Sequence, residues 1–140
     1  MKLYRPVDYL QLTKECEVNG AGPKGFDWIV PDYIWGVCIT EAANIHDAMY
    51  YAGKSFADRK FADHIFEENM QRLIDGKTCR GPKFYQRWLK RRRYKLAHIY
   101  YVAVRDFGKG PFLDGKDPNA VKAMGNEVTY DMEMTGDYKA

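Results

Sequence analysis

Cysteine is scarce in this chain, with three among 140 residues. Cys16, Cys38 and Cys79 are odd in number and widely spaced, which fits neither a disulfide framework nor a zinc site. A reducing compartment is the expectation. No apolar run approaches the roughly 20 residues needed to cross a bilayer, so no transmembrane segment is expected. The opening stretch MKLYRPVDYLQL lacks the apolar centre of a secretory signal, and synthesis in a cytoplasm without a signal peptide is expected. No Lys-Ser or Lys-Thr pair follows Gly20, Gly22 and Gly25 to make a phosphate-binding loop. Internal repeats and low-complexity segments are absent as well.

What is present describes a packed globule. Hydrophobic residues make up 46% of the chain and aromatics 15%, with 29% charged residues for solubility. A chain of this length fits one domain that buries roughly two-thirds of the surface its unfolded form exposes. The expected layout is a single domain over 1–140, with its core in 18–108 and a polar tail over 109–140. The net charge of +3 is unevenly spread. RWLKRRRYK brings together Arg87, Lys90, Arg91, Arg92, Arg93 and Lys95, while Glu67, Glu68, Asp131, Glu133 and Asp137 are acidic. A run of this kind is ordinarily a solvated helix face. As a functional surface it suits anionic lipid headgroups, at about 1 kcal/mol per cation near a charged membrane, or nucleic-acid phosphates.

Periodicity predicts a mainly α fold: an antiparallel helix pair, a long glycine-rich N-terminal loop and a third long basic helix. VNGAGPKGFDWIVPDYIWG, from Val18 to Gly36, is broken by Gly20, Gly22, Gly25, Pro23 and Pro31 and reads as an ordered loop with room for a short strand. A first helix is predicted from Thr40, a candidate N-cap, to Ala52, with Gly53 as its stop. Ile39, Ala42, Ala43, His46, Met49 and Tyr50 share its buried face, and Asp47 lies at the edge. A second helix is predicted from Ser55 or Asp58 to Ile74, with Asp63, Phe66, Met70 and Leu73 on one stripe. The third, Phe84 to Phe107, is expected to bury Tyr85, Trp88, Leu89, Leu96, Ile99, Tyr100 and Ala103. GNEVTYDMEM in the tail reads as a short strand. Trp28, Tyr33 and Trp35 are expected in the core, with an apolar rim that grips acyl chains as the alternative. His64 and His98 show no ligand-like spacing with His46.

AANIHDAMYYAG raises the functional question, because it sets a histidine and an aspartate in an otherwise apolar helix. A lone histidine on such a face is ordinarily a hydrogen-bonded core residue. The short connection at Gly53 makes the two helices antiparallel neighbours, which lets His46 meet Asp63. A buried imidazole held by a carboxylate has a fixed tautomer, and its second nitrogen can take a proton from water. Asp47 could give a cation one hard oxygen, and carbonyls of the segment holding Asn19, Gly20 and Gly22 could give others, as calcium requires. Such a cation would polarise an ester carbonyl. Both readings stay open on the residues alone.

AANIHDAMYYAG followed by FADHIFEENM resembles the active-site helix pair of phospholipase A2, whose signature is Cys-Cys-x-x-His-Asp-x-Cys-Tyr with a later aspartate on the antiparallel helix. Ala42, Ala43 and Met49 stand where its cysteines would be, and His46, Asp47 and Tyr50 keep their places. The chain is still more similar to a bacteriophage and prophage family of unknown function. GFDWIVPDYIW, ANIHDAMY, ADHIFEENM and YVAVRDFG follow that family's blocks in order over Gly25 to Gly108.

The resemblance implies a calcium-dependent phospholipid hydrolase acting at a membrane surface. His46 would be the base, Asp63 the orienting acid, Tyr50 its support and Asp47 the calcium ligand. The calcium loop departs from phospholipase A2, since Gly20 and Gly22 lie farther upstream of the histidine. Asp27, a further candidate calcium ligand, keeps only the acid of the phage family's Thr-Asp pair. The alternative is a non-catalytic virion, tail or host-interaction protein that keeps the scaffold and uses its basic surface on other phage proteins or on nucleic acid.

Overall fold

The computed structural model describes residues 2–19 and 31–135. The elements run β1 (Tyr4–Pro6), α1 (Tyr9–Asn19), β2 (Tyr33–Ile34), β3 (Val37–Cys38), α2 (Thr40–Ala52), α3 (Phe56–Gly76), α4 (Lys83–Phe107), α5 (Lys109–Leu113), α6 (Pro118–Ala123) and β4 (Met132–Met134). Helices dominate, as the periodicity predicts.

The centre is α3, which packs against both α2 and α4. Its start is specified locally. Ser55 caps it, accepting from the Asp58 amide at 3.0 Å, while Asp58 Oδ2 accepts from the amides of Ser55 and Lys54 at 3.3 and 2.8 Å. This reciprocal box satisfies backbone donors that the first turn would otherwise leave unpaired. Asp58 is fully buried because Thr129, far along the chain, donates to it through both its amide and its hydroxyl at 2.7 Å.

Helix α2 begins at Thr40, but Ile39 occupies the cap position and no side-chain bond closes it, so Thr40 is not the expected N-cap. Gly53 follows the helix, and glycine is needed there for a steric reason. Its backbone is extended (φ −61°, ψ 140°), yet a Cβ there would lie 2.6 Å from Phe112 Cε1 and 2.7 Å from the Tyr130 hydroxyl. The glycine admits the tail against the helix hairpin.

Several expectations change in three dimensions. The N-terminal region carries a helix, α1, which buries Tyr9 and Leu12. The polar residues interspersed through this short segment made too weak a period to announce it. Of the expected loop, Asn19 ends α1 in the backbone, whereas Gly20, Gly22, Asp27 and Trp28 lie outside the described residues. The stretch beyond them forms the hairpin β2–β3, pairing Tyr33 with Cys38 and Ile34 with Val37. Ile34 and Val37 are buried. Tyr33 and Trp35, expected in the core, are 60% and 48% exposed.

The tail is not merely polar. Phe112 is fully buried against Tyr50, ring centroids 5.3 Å apart at 87°, and Val121 is also buried. Full burial of such a ring contributes about 1.5–3 kcal/mol. Strand β4 lies within the expected terminal strand and pairs antiparallel with β1, Arg5 opposite Glu133. The buried Asn69 of α3 holds this sheet to the helices. Its amide accepts from the Tyr4 amide and donates to the Tyr4 carbonyl, both at 2.8 Å, as a neighbouring strand would.

Helix α4 spans the predicted residues but buries a different face. Leu89, Arg93, Ala97 and Val104 point inward, while Tyr85, Trp88 and Ile99 are exposed and Leu96, Tyr100 and Ala103 are half-buried. Ala97 and Val104 are small enough for close helix approach, and hydrophobicity alone could not select them over the larger rings. Arg93 is thereby withdrawn from the expected anionic-binding set. Its Nε and Nη2 donate to the Trp35 carbonyl at 3.2 and 2.9 Å.

Candidate active site

The helix period puts His46 and Tyr50 one turn apart on the inner face of α2, opposite Asp63 of α3. His46 Nε2 lies 2.7 Å from Asp63 Oδ1, and the Tyr50 hydroxyl donates to the same oxygen at 2.6 Å. Arg105, near the end of α4, donates from Nη1 to Asp63 Oδ2 at 2.8 Å. Both oxygens of a fully buried carboxylate are therefore engaged by donors. The His46 ring packs against Tyr50 and Phe66, centroids 4.2 and 4.8 Å away, and is 2% exposed.

Burial pushes the Asp63 carboxyl up, but hydrogen bonding and charge from His46, with hydrogen bonds from Tyr50 and Arg105, outweigh it and hold the group below the usual carboxylate range. Asp63 is ionised at neutral pH. Burial, and then the negative charge beside it, raises the Tyr50 phenol above its ordinary value. Tyr50 is a donor throughout the physiological range. Its room depends on Gly108, where a Cβ would fall 2.5 Å from the Tyr50 hydroxyl and 2.3 Å from the Val104 carbonyl.

An ionised Asp63 sets the imidazole tautomer. A neutral ring that donates from Nε2 carries its lone pair on Nδ1. Asp47 stands on that side, its Oδ1 4.0 Å from Nδ1 and its side chain about a third exposed. The two histidine nitrogens thus face different carboxylates, one buried and one reachable from solvent.

His46, Tyr50 and Asp63 are brought together as the spacing suggested, with Asp47 beside them. The structure adds Arg105, which sequence reasoning left without a role although it stands inside the quoted YVAVRDFG block. It also adds Arg59, a buried cation on α3 whose Nη2 donates to the carbonyls of Val104 and Arg105 at 3.2 and 2.5 Å and so fixes the end of α4 beside the site. Arg87, Lys90, Arg91, Arg92 and Lys95 are exposed on α4. Lys90 is paired with Asp75 at 3.0 Å. Of the proposed calcium ligands, Gly20, Gly22 and Asp27 lie outside the described residues. Among the described residues no group of three or more His, Cys, Asp or Glu side chains gathers as a metal site, Cys38 and Cys79 are free thiols, and no helix is long and apolar enough to cross a membrane.

No family model, curated protein or solved structure matches this chain.

Proposed function

We propose that the chain is a hydrolase of the phospholipase A2 type, related to the phage family its sequence resembles, and that His46 activates water to attack a phospholipid ester. The observation that carries this reading is the 2.7 Å contact of His46 Nε2 with Asp63, whose position Tyr50 and Arg105 fix. Nδ1 takes a proton from water as the water oxygen attacks the ester carbonyl. Asp63 stabilises the imidazolium that forms, and the same proton then passes to the departing alkoxide. Arg105 keeps Asp63 ionised and oriented.

Calcium fits Asp47 as a hard carboxylate donor. In the absence of an acidic cluster among the described residues, its other ligands would be carbonyl and water oxygens, which calcium accepts. When bound, it would polarise the ester carbonyl.

The burial of His46 favours a second reading, in which the quartet is a structural core and the chain is a non-catalytic virion or host-interaction protein. Fatty-acid release from anionic phospholipid vesicles with millimolar calcium separates the two. Release by the wild type that disappears in folded His46→Ala and falls in Asp47→Asn supports the hydrolase. Equal release by wild type and His46→Ala, or none from either, leaves the scaffold.

A further inference from the structure

The β2–β3 turn places a tryptophan where asparagine or glycine ordinarily stands. Trp35 has φ 41° and Gly36 φ 81°, the paired positive values of a tight hairpin. A bulky residue rarely adopts this conformation and keeps it only where its surroundings enforce it. Here buried Arg93 grips the Trp35 carbonyl with two nitrogens. Burial does not offset the strain, because the ring is 48% exposed. The turn holds an indole out to solvent.

That indole joins a row of rings. Trp35 lies 5.7 Å from Trp88, and Trp88 lies 6.0 Å from Tyr85 with the planes at 26°. Tyr85 and Trp88 are 42% and 46% exposed. Cations run through the same surface. The Arg92 guanidinium sits 5.5 Å from the Trp88 centroid. Arg91 and Lys95 follow Trp88 at helical spacing, on one exposed stripe. Among the described residues, no acid pairs with Arg87, Arg91, Arg92 or Lys95, whereas Lys90 has Asp75. So dense a positive patch without internal counter-ions is complementary to a polyanion.

The arrangement distinguishes between polyanions. A helix that lies in a lipid surface segregates an uninterrupted apolar face from its cations. Here Arg91 and Lys95 stand in line with Trp88. A positive track interleaved with exposed rings is how proteins hold single-stranded nucleic acid, with phosphates on the cations and bases stacked on the rings. A duplex hides the base faces that such rings need.

We infer that the outer face of the first half of α4, together with Trp35, binds single-stranded nucleic acid. Arg87, Arg91, Arg92 and Lys95 contact phosphates, and Trp35 and Tyr85 stack on bases. The inference uses no property of His46, so it stands or falls separately from the hydrolase reading.

Fluorescence anisotropy of labelled oligothymidylate with the full chain tests it. Wild type should bind, with quenching of tryptophan emission and affinity that falls with salt. Trp35→Asn suits the left-handed turn and should keep the fold while weakening binding about tenfold, the scale of one lost base stack. Tyr85→Ala, at a position without backbone strain, should weaken it similarly. Replacing Arg91 and Lys95 together by glutamine should flatten the slope of log K against log salt by about 0.7 per lost phosphate contact. His46→Ala should bind as wild type does. Failure of the wild type to bind overturns the inference, as does unchanged affinity in folded Trp35→Asn and Tyr85→Ala. Binding to anionic vesicles but not to the oligonucleotide overturns it in favour of a lipid surface.

Discussion

Replacing Asp63 with asparagine keeps the side chain's shape and removes the charge that His46, Tyr50 and Arg105 share at 2.7, 2.6 and 2.8 Å. A hydrogen bond to a charged group contributes about 1.5–3 kcal/mol, and removing one member of a buried ion pair costs about 3–5 kcal/mol. Arg105 retains 30% side-chain exposure, so water recovers part of its solvation. The expected loss is therefore near the lower end, about 3 kcal/mol. Urea unfolding followed by circular dichroism at pH 7 measures it as a lower midpoint at unchanged slope.

The variant also changes the chemistry of the ring. Arg105 can only donate, so the asparagine must turn its oxygen to Arg105 and its NH2 toward His46 Nε2. The imidazole proton then moves to Nδ1, and the nitrogen that should accept from water no longer can. Nitrogen-15 NMR of the ring reads this tautomer directly. Acid adds a further check. The folded Asp63 titrates below its unfolded value of about 3.9, so its contribution is complete above that pH and is lost as pH falls through the folded value. The stability gap between wild type and Asp63→Asn should shrink as pH falls below about 4. A gap under about 0.5 kcal/mol at pH 7, the range of an ordinary surface change, would refute the shared-carboxylate argument.

Two other substitutions probe the frame around the site. Gly53→Ala should cost about 1–3 kcal/mol in thermal or urea unfolding, since its Cβ meets Phe112 and Tyr130 rather than open space; full stability would mean the tail does not pack there. Burial lowers the Lys116 amine to about 8, while its Nζ donates to the carbonyls of Tyr50 and Phe112. Because the unfolded chain holds that proton to higher pH, stability should rise between about pH 8 and 10 relative to Lys116→Met. Parallel melting curves for the two proteins across that window would remove the basis for a buried, desolvated amine.

The sequence by itself determined the parts of this protein that rest on local physics. The α2–α3 hairpin could be read from Gly53, Ser55 and Asp58, because a cap and a helix period act over a few residues. The shared inner face of His46, Tyr50 and Asp63 follows from the same period, which is why three of the four groups at the site were legible. Tertiary structure decided the rest. Of 22 lysines and arginines, Arg105 neutralises Asp63 because α4 runs back antiparallel along α3 and brings its last turn beside that carboxylate, across 42 residues of chain. Arg93 is buried because a carbonyl in a distant hairpin accepts its two bonds. Pattern reading assigns rings to the core and charges to the surface. On α4 the packing reversed both, since close helix approach selects small residues, and a cation becomes buriable once fixed acceptors meet it.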